Sequence, residues 1–110
     1  MAGKTDTFES DILKLIFNAT PIAFIADNAA TTPITNLYMS LHTADPTDTP
    51  ASGQSTSETT YTGYARVAVV RTTSGWTVST VAGVTSVTPN ANISFGICTA
   101  GTATITHVGI

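Results

Sequence analysis

The chain has 110 residues, a net charge of −3 and only 10% charged side chains, against about 25% in an ordinary soluble domain. That length holds one domain with a single modest core. The acidic balance leaves no basic stripe for nucleic acid, Cys98 is alone and forms no intrachain disulfide, and no apolar run approaches the roughly 18 residues of a membrane-spanning helix.

The charges are unevenly placed. All four Lys and Arg and all seven Asp and Glu precede residue 72, so 72–110 carries none. A free monomer guards its strand edges and its solubility with charge. The uncharged third is therefore expected to be covered, most simply by other subunits in a homo-oligomer.

Residues 1–5 are a polar arm without the apolar core of a signal peptide. Asp6 with Glu9 has the spacing of a capping box, and Phe8, Ile12, Leu15, Ile16 and Ala19 share one helical face. Asn18 and Pro21 end that pattern, because proline disfavours the helical region for Thr20. An amphipathic helix over 8–18 follows. Residues 21–26 read as a short helical turn or strand, and 27–35 as a connection.

Leu37, Met39 and Leu41 alternate with Tyr38, Ser40 and His42, which predicts a half-buried strand. Residues 43–60 form a polar loop, rich in Ser and Thr with Pro46 and Pro50, expected to be exposed and mobile. The run AVV within 64–71 predicts a strand that is covered on both sides or sits centrally in its sheet, and 71–75 a turn pairing it with a strand over 75–81. Residues 84–88 are a weaker strand stopped by Pro89-Asn90, whereas Ile93, Phe95 and Ile97 predict a clear one. A last strand over 104–110 follows the turn at Ala100-Gly101. The expected fold is mainly β, an antiparallel sandwich or jelly-roll-like domain with one N-terminal amphipathic helix. The organisation expected is an arm and helix over 1–35 and a β core over 36–110; Ile110 ends inside a strand pattern, so either the chain continues beyond it or a neighbour completes the strand.

Three groupings invite a chemical reading. His42, Asp45 and His107 offer at most three metal ligands without a supporting set, and Asp45-Pro46 reads better as a turn. Ser40, His42 and Asp45 have the residue types of a hydrolase triad, but no glycine-rich elbow follows to supply an oxyanion hole. No catalytic, cofactor or metal residue is assigned, and the chain is expected not to be an enzyme. Tyr38, Tyr61, Tyr64 and Arg66 have the composition of an exposed interface patch; the alternative is that Tyr64 and Tyr38 pair across strands and close the sheet edge. Trp76 belongs in the core. The helix face Phe8, Ile12, Leu15 and Ile16 is either core or a docking face.

FESDILKLIF at 8–17, LYMSLHTADP at 37–46, ETTYTGYARVAV at 58–69 and CTAGTATITH at 98–107 together resemble a family of small virion structural proteins of tailed bacteriophages. The resemblance spans nearly the whole chain and implies a tail-fibre-like, minor tail or capsid-decorating role with no catalytic residues. It implies other virion proteins, major capsid or tail, as partners and assembly in the host cytoplasm. The expected function is capsid decoration (a cement protein, possible as a threefold trimer). A tail-associated, tail-fibre-like protein is the alternative, and a carbohydrate-binding β-module using Trp76 and the tyrosines is the other class.

Overall fold

A computed structural model describes residues 6–22, 33–47 and 55–110. The described elements run α1 (Asp6–Asn18), β1 (Asn36–His42), β2 (Val67–Val70), β3 (Trp76–Val81), β4 (Val84–Pro89) and β5 (His107–Gly109). The fold is mainly antiparallel β with one N-terminal helix and two sheets, ordered β2-β1-β5 and β3-β4. Contacts divide the chain into two compact units, Met1–Leu37 with Val69–Asn92 and Tyr38–Ala68 with Ile93–Ile110. The region 23–32, which includes most of the 21–26 segment and the 27–35 connection, lies outside the described residues, as does 48–54 of the polar loop.

In the first unit β3 and β4 form a hairpin in full register from Trp76↔Pro89 to Val81↔Val84. Its two-residue turn, Ala82-Gly83, has φ of 50° and 78°. Two positive φ values give the backbone twist that suits a tight hairpin. An isolated hairpin is marginal in water, and here α1 packs on both strands. The register puts Trp76, Val78 and Thr80 with Pro89, Val87 and Thr85 on one face, where Trp76 is 2% exposed. The opposite face, Thr77, Ser79 and Val81 with Thr88, Ser86 and Val84, is fully exposed.

Phe17 meets Trp76 edge to face, with ring centroids 4.9 Å apart. That geometry adds about 0.5–1.5 kcal/mol to the burial itself. Two orphan carbonyls at the helix end are satisfied from a distant part of the chain. The last turn of α1 has no basic residue, and the Arg71 guanidinium donates to the carbonyls of Leu15 and Ile16 and to that of Ile34. A cation there also suits the negative end of the helix dipole. The helix stops through Ala19 at φ 54°, with Thr20 N–H donating to Lys14 O at 3.1 Å, the six-to-one bond of a left-handed C-terminal cap.

Several expectations change. The helix begins at Asp6, and its buried residue is Phe17; Phe8 (41% exposed) and Ile16 (43%) face outward, while Ile12 and Leu15 are half-buried. The aromatic partner decides the rotation: Trp76 selects Phe17. β2 is shorter than 64–71 and lies at the edge of its sheet, with β1 central. β3 pairs with β4 instead of with β2, because the Ala82-Gly83 turn closes the nearer hairpin. Residues 93–99 form no strand, and the last strand contracts to β5.

Candidate functional site

The second unit holds the polar groups singled out from the sequence. On β1 the alternation fails in one respect. Met39 is buried as expected, but Ser40 and His42 on the supposedly open face are buried completely, at 0% exposure each. Their polarity is satisfied internally. Ser40 Oγ lies 2.8 Å from His42 Nε2, and His42 Nδ1 lies 2.8 Å from the Thr56 carbonyl. A carbonyl only accepts, so Nδ1 carries the proton and Nε2 accepts from the Ser40 hydroxyl.

β5 closes over this pair in the register Ser40↔Gly109 and His42↔His107. A Cβ at Gly109 would stand 2.6 Å from Ser40 Oγ and 2.8 Å from His42 Nε2, so any side chain there would displace the dyad. Asp45 takes no part in it. Its Oδ1 accepts from Thr47 N–H at 2.9 Å, the turn that Asp45-Pro46 suggested. His107 Nδ1 is 2.9 Å from Thr106 Oγ1. Among the described residues, no three His, Cys, Asp or Glu side chains converge on one point.

The end of the polar loop is also structured. His42 bridges Glu58, Thr59 N–H donates to Leu41 O and Thr43 N–H to Ser57 O, so 57–59 adds to β1 on the edge away from β5. Thr59 is buried. The expectation of an exposed loop over 43–60 fails here because the returning chain completes the ladder of β1.

That return places Glu58 at the centre of a polar cluster. Arg66 grips it with two bonds, Nε to Oε1 at 2.8 Å and Nη2 to Oε2 at 2.6 Å, the bidentate geometry in which arginine is strongest. The Tyr64 hydroxyl donates to Glu58 Oε1 at 2.6 Å and accepts from Leu41 N–H at 3.1 Å. The Arg66 hydrogen bonds, with that of Tyr64, hold the Glu58 carboxyl down to about 2 although burial opposes this. Burial, then the bond to Glu58, pushes the Tyr64 phenol up, and Glu58 raises Arg66. The cluster is therefore charged and locked throughout the physiological range.

Aromatic rings extend it. Tyr64 packs edge to face on Tyr61 at 5.5 Å and stacks on Phe95 at 6.3 Å. These are its ring partners, where cross-strand pairing with Tyr38 was the alternative. Tyr61 OH donates to Gly96 O at 2.8 Å. Gly63 and Gly96 let the two backbones touch: a Cβ at either would collide with the carbonyl of Ile97 or of Gly63 respectively. This close backbone contact, which also carries Thr62 N–H to Ala100 O and Thr99 N–H to Thr62 O, replaces the strand expected over 93–97.

The structure thus joins Tyr61, Tyr64 and Arg66 in one cluster, leaves Tyr38 of the expected patch outside it at 49% exposure, and adds Glu58 from the end of the polar loop. Phe8, Ile12, Leu15 and Ile16 belong to the first unit. Trp76 is enclosed there and offers no exposed ring for a sugar to stack on.

No curated protein and no solved structure gives a significant match to the chain. A family model described as Podophage GP4 fiber I protein gp80 matches residues 4–110. The chain belongs to that family, a family of phage virion structural proteins.

Proposed function

We propose that the protein is a non-enzymatic building block of a podophage tail fibre, assembled in the host cytoplasm and joined to other virion proteins. The family match over 4–110 is the observation that carries this reading. It favours the fibre alternative over the capsid decoration first expected. The site chemistry agrees with a structural role. Ser40 and His42 are sealed at 0% exposure, and the Glu58 carboxylate is committed to Arg66 and Tyr64. Both sets of contacts serve the fold. Phe8 and Ile16, exposed on α1, and Arg66 at the margin of its cluster are proposed contact positions for neighbouring virion proteins.

The decisive experiment compares parent particles with particles lacking this protein. Particles without it should survive heating as before but adsorb poorly to the host. Normal adsorption with a lowered failure temperature of the capsid would refute the fibre reading and restore decoration.

A further inference from the structure

Residues 96–108 are an unbroken run in which every residue is exposed. The run has no charged side chain, yet Ile97 is 83% exposed, Ile105 37% and Val108 59%, with Ile110 at 51% just beyond. Among the described residues of the same unit Met39, at 8% exposure, is the one buried large apolar side chain, against these four exposed aliphatic ones. The backbone is open as well. The N–H groups of residues 102–105 donate to no described residue, and β5 pairs with β1 along one edge only. Exposed edges are normally guarded by lysine, proline or a bulge. Residues 93–110 contain no proline and no lysine.

We infer that 96–110 is the surface on which a second copy of this chain docks, by strand addition along 102–108 with Ile97, Ile105, Val108 and Ile110 packed between copies. Charge selects the partner. The whole net charge of −3 lies in 1–71, so identical neutral patches meet without the penalty of like charges placed opposite each other. A charged partner would find no counter-charge here. The inference deepens the fibre reading, since a fibre is built of repeated copies, and is tested apart from it.

The test uses the full chain and three variants. Light scattering should find an oligomer for wild type, and loss of that oligomer for Ile97→Lys and Ile105→Lys, with the Trp76 emission unchanged. Thr88→Lys, which adds the same charge on the exposed face of β4, should leave the oligomer intact. Hydrogen exchange on wild type supplies a readout independent of any variant: the amides of 102–105 should gain protection as concentration rises. A wild-type monomer, Ile97→Lys and Ile105→Lys both keeping the wild-type mass, or exchange at 102–105 independent of concentration would each overturn the proposal. Labelling a tag on intact particles separates the two readings. A monomeric chain found on fibres overturns the interface alone, and an oligomeric chain found on the capsid shell overturns the fibre reading alone.

Discussion

In the first unit α1 lays Phe17 on Trp76, and the inward faces of β3 and β4 receive the helix. The second unit buries Met39 and, with it, three polar residues, Ser40, His42 and Thr59. One unit is held by aromatic and aliphatic burial, the other by two polar groupings, His42 with Ser40 and the Thr56 carbonyl, and Glu58 with Tyr64 and Arg66. Both arginines of the chain serve inside these arrangements. Arg71 closes the helix end of the first unit, and Arg66 fixes Glu58 in the second. In a protein with so few charges, each is placed where a backbone or carboxylate oxygen needs it. The contrast teaches that low charge content need not mean few electrostatic constraints: here they are concentrated.

The largest effect should come from the first unit. Phe17→Ala removes a buried ring from the helix–hairpin contact and should cost about 3–5 kcal/mol, read as a fall in melting temperature with a red shift of the single tryptophan, Trp76. A loss below about 1 kcal/mol would mean that aromatic burial is not what holds this unit, since such small values are usual for exposed positions.

Next in size is Arg71→Met, which keeps the aliphatic stem and deletes the donors to the Leu15, Ile16 and Ile34 carbonyls. Hydrogen bonds to a charged group are worth about 1.5–3 kcal/mol, and about 2 kcal/mol should be lost here. The helical signal in circular dichroism should fray first. An undiminished helix with unchanged stability would remove Arg71 from the comparison.

The smallest effect sharpens the account of the second unit through its pH dependence. Glu58 is held at about 2 in the folded chain against an ordinary value of 4.5. Its contribution is therefore complete above pH 4.5 and disappears as the pH falls towards 2. Because Arg66 is 35% exposed, solvent screening limits it to about 1 kcal/mol. Glu58→Gln should be less stable than wild type by that amount at neutral pH, and the two should converge on acidification. Denaturant titrations giving a constant gap from neutral to pH 2 would contradict the assignment.

How much of this was legible beforehand differs between the units. The helix, the strand at 36–42, the enclosure of Trp76 and the grouping of Tyr61, Tyr64 and Arg66 were all readable, because apolar period and residue type act within a short window. The absence of charge over 72–110 was also plain in the sequence, and it carries into the interface proposed above. Pairing was not legible. β3 chose β4 through a turn of two positive-φ residues, one of them alanine, which has no strong sequence signature. Phe17 displaced Ile16 from the buried face because an aromatic partner 59 positions away selects it. Ser40 and His42 looked like an outward polar face until Thr56 and Gly109, from two distant segments, supplied an acceptor and a lid. The sequence by itself determined which stretches are helical or extended and where charge is missing, since these follow from neighbouring residues. The tertiary structure alone decided which polar groups are buried, because their hydrogen-bond partners come from far along the chain and only folding brings them within reach.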